Sequence, residues 1–253
     1  MTTLPAEFLG APIAHRGLHD VAAGRPENSL AAFRAAIAAG YGIELDVQRS
    51  ADDGAMVFHD YDLDRVTEAS GLLRDRSADA LGRIALRGGD EGIPTLAQVC
   101  DLVAGQVPLL VEIKDQDGAL GPDVGPLERA VADVLRDYRG PLAVMSFNPH
   151  AVAVMGEYLP GVARGLTTCD FDAADWPLPE PALERLRDIP DFDRTGACFI
   201  SHDRKDLSRP RVAELKRKGV PVLCWTVKSP EAETKARRVA DNITFEGYIP
   251  PVA

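Results

Sequence analysis

The sequence predicts an α/β protein, a (β/α)8 TIM barrel with an inserted segment after its third strand. Eight short apolar runs typical of buried strands alternate with amphipathic runs typical of helices. The length of 253 residues also fits a large α/β barrel domain. A doubly wound open sheet is the alternative, but the chain has neither GxGxxG nor GxxxxGK(S/T), the phosphate-binding motifs that would favour it.

The predicted strands are apolar runs bounded by glycine, proline or polar residues. In chain order they lie at 11–17, 42–48, 55–60, 107–115, 141–147, 163–168, 197–202 and 220–227. A further stretch, 242–250, could be a ninth strand or a plug of the barrel.

Helical patterns fill most intervals between these strands. They lie at 28–40, 94–105, 126–140, 148–161, 209–220 and 229–240. In the first of them, Asn28 or Ser29 suits the N-cap and Gly40 suits the end.

The span 61–93 is too long for an ordinary connection, and such spans are usually functional or mobile. We therefore expect a single barrel domain over 1–253, with 61–93 as an insertion at its active-site face.

Charge and composition exclude several function classes. A net charge of −11 argues against a nucleic-acid partner and against stable association with an anionic membrane. The four cysteines form no CxxC pair, which disfavours a zinc site or a disulfide framework. The beginning of the chain lacks a basic start followed by an apolar run, so we expect a cytoplasmic protein.

Polar residues sit at or near the ends of the first four predicted strands, where the active site of an α/β barrel forms. They are His15 and Arg16, Glu44 and Asp46, His59 and Asp60, and Glu112 and Lys114. Buried charges are costly unless paired, so three acids at one barrel mouth call for a cation. Glu44, Asp46 and Glu112 would form an all-oxygen site for a divalent metal ion such as Mg²⁺ or Ca²⁺.

Structural explanations exist for each residue alone. Glu44 could pair with Arg49, Glu112 could pair with Lys114, and a histidine at a strand end is often only a hydrogen-bonded structural residue. We expect His19, His150 and His202 to be surface or loop residues. Trp176 could anchor a loop or belong to a lid.

The set as a whole suits hydrolysis of a phosphate diester. Two histidines can act as general base and general acid near neutral pH. Arginine and lysine can neutralise charge on a phosphoryl group. An alkoxide leaving group needs a proton from an acid, which favours a diester substrate.

Six motifs resemble those of the glycerophosphodiester phosphodiesterase family and occur in the family's order. They are AHRG, PENSLAAFRAAIAAGYGIELDV, VFHD, IPTL, VEIK and WTV. The resemblance implies hydrolysis of a small-molecule glycerophosphodiester to glycerol 3-phosphate and an alcohol, with a divalent metal. Where family members often end in IITD.P, this chain has NITFEGYIPPVA, so the last barrel corner could differ.

The resemblance also assigns roles to residues. His15 and His59 match the family's catalytic histidines, and its metal carboxylates match Glu44, Asp46 and Glu112. The phosphate and substrate contacts match Arg16, Lys114 and Trp225, and Glu27 and Asn28 match the PEN signature near the site. Glu27 could instead only hydrogen-bond Arg16 or the helix start.

Three other functions remain as alternatives. A lysophospholipase D-type enzyme would need an apolar groove for an acyl chain, which the charged span 61–93 disfavours. A non-enzymatic barrel protein would have no need of the complete set of histidines and acids. A metal-independent phospholipase C of similar shape is disfavoured by the three clustered acids.

Overall fold

A computed structural model describes residues 2–252, and within them eight parallel strands close into a barrel. Closure arises because the first strand pairs with both the second and the last. The strands are β1 (Ile13–Ala14), β2 (Gly42–Arg49), β3 (Ala55–Val57), β4 (Leu109–Ile113), β5 (Leu142–Ser146), β6 (Ala163–Thr168), β7 (Phe199–Asp203), β8 (Val222–Val227) and β9 (Asn242–Phe245). All but β3 belong to the barrel, which confirms the predicted fold class.

Helices follow the barrel strands. They are α1 (Leu30–Ala39), α2 (Ala78–Gly82), α3 (Leu96–Val103), α4 (Pro126–Leu135), α5 (Pro149–Tyr158), α6 (Glu180–Arg187), α7 (Pro210–Arg217) and α8 (Pro230–Ala236). Ser29 caps α1 and Gly40 ends it in the left-handed conformation, as the sequence predicts. The short helices α2 and α6 were not predicted. Across residues 2–252, no helix combines the length and apolar character needed to cross a membrane.

The third strand was wrongly assigned to the barrel. β3 runs antiparallel to β2, with Val57 opposite Val47 and Ala55 opposite Arg49. Only residues 50–54 join the two strands, and a connection that short allows a hairpin but no parallel crossover. The barrel's third strand is therefore β4, and the span 61–93 follows a hairpin rather than a barrel strand.

The stretch that the sequence left as a ninth strand or a plug is the last barrel strand. β9 pairs in parallel with β8 and with β1, where Ala14 lies opposite Phe245. It therefore brings Glu246 beside the residues that follow β1.

Side chains on the barrel strands alternate between two cores. On β2, Ile43, Leu45 and Val47 pack outward in the core shared with the helices, so Glu44 and Asp46 face the interior. Apolar residues fill the interior near the amino ends of the strands: Leu4, Phe8, Ile13, Leu110, Ala143, Met145, Ala163, Phe199 and Leu223. The acids thus lie on an apolar floor and near the carboxyl ends of the strands.

The span 61–93 packs around a small core that it shares with β3 and Phe58. This core consists of Met56, Phe58, Leu63, Leu73, Leu81, Leu86 and Ile93, all buried. The Arg87 guanidinium also donates to the backbone carbonyls of Arg65 and Thr67, at 2.6 Å each. These contacts give this span a defined structure.

Candidate active site

Seven of the eight residues predicted at the strand ends line one cleft of about 100 Å³, and the eighth, Asp60, contacts His59. The cleft walls contain His15, Arg16, Glu44, Asp46, His59, Glu112, Lys114 and Trp225, together with Met145, Phe147, Thr226 and Thr244. Glu27 hydrogen-bonds Arg16 and Asn28 hydrogen-bonds Asp46, so both residues support the cleft without lining it.

Three buried carboxylates form the centre of the cleft. Glu44 and Asp46 share the inner face of β2, and Glu112 lies on β4 directly opposite Asp46 in the strand register. One oxygen from each of the three lies within 4.8 Å of the others. That spacing allows one cation to contact all three residues.

Lys114 and Arg16 neutralise part of this charge. The Lys114 Nζ lies 2.8 Å from Asp46 Oδ1 and 2.5 Å from Glu112 Oε1, so the predicted alternative pair of Lys114 and Glu112 does exist. The Arg16 Nε lies 3.3 Å from Asp46 Oδ2. Burial alone would raise the pKa of Asp46, but Lys114 and the neighbouring cations lower it well below its usual range.

Glu44 is the acid whose charge is least compensated. Its alternative pairing with Arg49 is wrong, because Arg49 pairs with Asp53 instead. Within residues 2–252, no lysine or arginine side-chain nitrogen lies within 4 Å of its carboxylate, which accepts only the Arg16 backbone N–H at 3.0 Å. Burial, then Asp46 and Glu112, raise the pKa of Glu44 well above its usual range.

His15 is held by a residue from the other end of the chain. Its Nδ1 lies 2.6 Å from Glu246 Oε2, and its Nε2 lies 4.0 Å from Glu44 Oε2. A carboxylate accepts hydrogen bonds, so Nδ1 donates and Nε2 faces the acids. Burial lowers the pKa of His15, and the Glu246 hydrogen bond opposes that effect. The sequence left the role of Glu246 open.

His59, which lines the same cleft, has a matching arrangement. Its Nδ1 lies 2.6 Å from Oδ1 of the adjacent Asp60. Arg65 also binds Asp60, with its Nε 2.6 Å from Oδ2. Sequence reasoning missed Arg65, because its side chain reaches the site only through the fold of 61–93.

Glu27 and Asn28 hold the chain around Arg16. The Arg16 Nη1 donates to Glu27 Oε1 at 2.8 Å, and the Asn28 side chain donates to Asp46 Oδ2 at 3.0 Å. Arg16 and Asn28 both have a φ of 56°, and the Asn28 N–H donates to the Arg16 carbonyl at 2.9 Å. Two residues in a costly left-handed conformation at one site indicate a functional constraint.

Aromatic side chains form one wall of the cleft. The Trp225 Nε1 donates to the Ser201 carbonyl at 3.0 Å, and its ring meets Phe147 edge-to-face with centroids 5.5 Å apart. The ring of Trp176 packs against Phe147 and Phe171, with ring centroids 4.9 Å and 5.1 Å apart, and these contacts anchor its loop.

One histidine prediction was wrong. His202 is a fully buried residue of β7, where its Nδ1 lies 2.7 Å from Thr168 Oγ1. His19 lies closer to the site than expected, with its Nε2 3.6 Å from Glu246.

Two solved structures that share this fold and 25% of the sequence are phosphodiesterases by name. A phosphodiesterase from Oleispira antarctica, in complex with the product sn-glycerol-3-phosphate, matches with a TM-score of 0.76 and 25% identity over 94% of this chain and 93% of its own. The glycerophosphodiester phosphodiesterase of Thermotoga maritima matches with a TM-score of 0.69 and 25% identity, covering 93% of this chain and 94% of its own.

Sequence relatives agree with this likeness. Glycerophosphodiester phosphodiesterase 1 of Bos taurus is 34% identical over 244 residues, which cover 86% of this chain and 71% of that protein. A glycerophosphodiester phosphodiesterase of Caldanaerobacter subterraneus is 32% identical over 164 residues, 61% of this chain and 65% of that protein. The model of the glycerophosphoryl diester phosphodiesterase family matches residues 15–243. The chain therefore belongs to the glycerophosphoryl diester phosphodiesterase family and is a phosphoric diester hydrolase.

Proposed function

We propose that this enzyme hydrolyses glycerophosphodiesters to glycerol 3-phosphate and an alcohol, with a divalent metal ion and two catalytic histidines. The observation that carries the proposal is the pairing of two carboxylate-held histidines, His15 and His59, in one cleft with three buried acids. The bound product of the Oleispira antarctica phosphodiesterase, sn-glycerol-3-phosphate, supports glycerol 3-phosphate as the product here.

The donor set fits a divalent metal ion. Glu44, Asp46 and Glu112 would hold it through oxygen atoms alone, which suits Mg²⁺ or Ca²⁺. The uncompensated burial of Glu44 supports this assignment, because an ionised carboxylate in such a place needs a positive partner. When bound, the ion supplies positive charge to a phosphate oxygen.

Arg16 and Lys114 bind the phosphate in this proposal. Both side chains are 15% exposed and already lie against Asp46, so the acids hold them at the cleft. Their positive charge offsets negative charge that develops on the phosphoryl oxygens during the reaction.

His15 and His59 move the protons. One Nε2 takes the proton of the attacking hydroxyl, which belongs to the glycerol group or to water. Attack by the glycerol hydroxyl gives a cyclic phosphate, which a water molecule then opens to glycerol 3-phosphate. The other Nε2 gives a proton to the departing alcohol oxygen as the P–O bond breaks. Glu246 and Asp60 hold the rings through Nδ1, so each histidine presents the nitrogen that is free to exchange a proton.

A second candidate is a lysophospholipase D-type reaction on lysolipids. The aromatic wall of Phe147 and Trp225 favours it, since these rings line the cleft and could contact the acyl chain of a lysolipid. The two candidates share the same catalytic residues and differ in whether the glycerol group of the substrate carries an acyl chain.

The assay that tests the proposal measures glycerol 3-phosphate release from glycerophosphocholine and glycerophosphoethanolamine, with Mg²⁺, with Ca²⁺ and with EDTA. We expect release with a metal and none with EDTA. Release that survives EDTA would contradict the metal role. Choline release from a lysophosphatidylcholine, without turnover of either glycerophosphodiester, would favour the second candidate.

The organisation of the chain is part of the proposal. We propose that residues 1–253 act as one barrel domain and that 61–93 forms part of the active-site face. The contacts of Arg65 with Asp60 and Glu27 support this role.

A further inference from the structure

One guanidinium from the inserted segment bridges two carboxylates beside the cleft. The Arg65 Nε and Nη2 donate to Asp60 at 2.6 and 3.1 Å. Its Nη1 and Nη2 donate to Glu27 at 2.7 Å each. Arginine thus makes two bidentate contacts, which the single ammonium of lysine cannot reproduce.

Each of these carboxylates also holds a residue of the proposed reaction. Asp60 Oδ1 lies 2.6 Å from His59 Nδ1, and Glu27 Oε1 lies 2.8 Å from Arg16 Nη1. Arg65 is therefore linked through Asp60 to His59, a proposed proton carrier, and through Glu27 to Arg16, a proposed phosphate-binding cation.

The charges show why the bridge matters for the site. Burial alone would raise the pKa of both Glu27 and Asp60. Hydrogen bonds from Arg65 and Arg16 keep the pKa of Glu27 below its usual range, and hydrogen bonds from His59 and Arg65 do the same for Asp60. Without Arg65, two neighbouring carboxylates would lose their shared cation. We would then expect them to repel one another and to move the side chains that they hold.

Arg65 is itself firmly placed. Its carbonyl accepts from the Arg87 guanidinium at 2.6 Å, and the next residue, Val66, packs against the core of the inserted segment. A side chain anchored in this way can orient others within the narrow limits that catalysis requires.

We propose that Arg65 is a positioning residue for phosphodiester hydrolysis, acting through Asp60 on His59 and through Glu27 on Arg16. This inference rests on the proposed roles of His59 and Arg16. Arg65 touches neither the substrate nor the three acids in this account, so its loss is expected to lower kcat and to leave metal affinity unchanged.

The test compares Arg65→Ala with Arg83→Ala, a matched loss of an exposed arginine in the same segment that pairs with Asp79. We expect kcat of Arg65→Ala to fall by about tenfold or more, with Arg83→Ala near wild type. Millimolar guanidinium added to Arg65→Ala should restore part of the lost kcat, because it can occupy the space between Asp60 and Glu27. Arg65→Lys should keep only part of the activity, since it cannot bridge both carboxylates.

Each variant is assayed on glycerophosphocholine and on bis(p-nitrophenyl) phosphate, a generic diester. If wild type hydrolyses only the generic diester, the proposed substrate fails, and the comparison of variants on that diester still decides the role of Arg65. An unchanged kcat in Arg65→Ala would overturn the inference. A loss that tracks a lower melting temperature and that guanidinium does not restore would also overturn it, since it would indicate a purely structural contact.

Discussion

At the residue scale, the two candidate catalytic histidines are held in the same way by partners of very different origin. His59 uses Asp60, its neighbour in the chain, whereas His15 uses Glu246 at a sequence separation of 231. A local motif can reveal the first pair. The second becomes visible only when β9 is placed beside β1, which is why sequence reasoning could not assign Glu246.

The histidines give the first prediction. His15→Ala and His59→Ala should each lower kcat by roughly 10²-fold or more, because each removes a proposed proton carrier. Steady-state release of glycerol 3-phosphate measures the effect. His150→Ala is the control, because His150 lies on α5 and outside the cleft. Near-normal turnover in both site variants would contradict the assignment.

The acids give the second prediction. Glu112→Gln should weaken metal affinity by about tenfold or more, because it removes a charged ligand while keeping the shape of the side chain. Calorimetric titration with Mg²⁺ or Ca²⁺ measures the affinity, and circular dichroism checks the fold. Glu214→Gln on α7, whose side chain is 38% exposed, is the control. Equal affinity in both variants would remove Glu112 from the metal site.

At the element scale, local signals explain which predictions succeeded. Ser29 and Gly40 mark the ends of α1 because capping depends on the chain immediately around them. The apolar run 55–60 shows no strand direction by itself. The signal is the short connection before it, which allows only a hairpin, and the alternation pattern alone led to the wrong assignment of β3. Helix α6 was missed because its sequence, EPALERLR, is short and half charged, so it shows little apolar periodicity.

Two glycines give the third prediction, because they separate backbone strain from steric clash. Gly40 and Gly17 have φ of 75° and 79°, both in the left-handed region. Among the described residues, no atom lies within 4 Å of a Cβ placed on Gly40, whereas at Gly17 that atom would lie 2.9 Å from Phe33. Gly40→Ala should cost about 1 kcal/mol of unfolding free energy, from backbone strain alone.

Gly17→Ala should cost more, because the clash with Phe33 adds to the same strain. Urea unfolding of both variants measures the difference. Equal losses of unfolding free energy in the two variants would show that the turn after β1 shifts enough to accommodate the added methyl group.

At the scale of the whole molecule, the alternation of strands and helices was enough to predict the barrel, because that pattern has few compact solutions. The strand-end rule then predicts that His15, Glu44 and Glu112 lie at one barrel mouth. Contacts between distant segments, such as Arg65 with Glu27, could not be predicted because they depend on how the chain crosses the barrel mouth.

Acid stability gives the fourth prediction. Burial would raise the pKa of Asp191, but its hydrogen bonds from Arg185 and Arg194, each 2.7 Å long, lower it below its usual value. A carboxyl with a lower pKa in the folded state stabilises the fold above its unfolded pKa and loses that contribution as the pH falls. Asp191→Asn should therefore destabilise the protein at neutral pH, and the gap from wild type should narrow below about pH 4.

Thermal unfolding of both proteins from pH 7 to pH 3 measures this gap. A constant difference across the range would mean that the charge of Asp191 contributes nothing. Asp188→Asn, at the C-cap of α6, is the control variant, measured over the same pH range.

The pairing of β1 with β9 has a consequence for how the enzyme folds during its synthesis on the ribosome. Residues 13–14 leave the ribosome early and must wait for residues 244–245 before the barrel can close. Contacts that span so much sequence form late in folding. His15 likewise gains Glu246 only at that final stage. A nascent chain of this protein should therefore be inert towards phosphodiesters until its synthesis has passed β9.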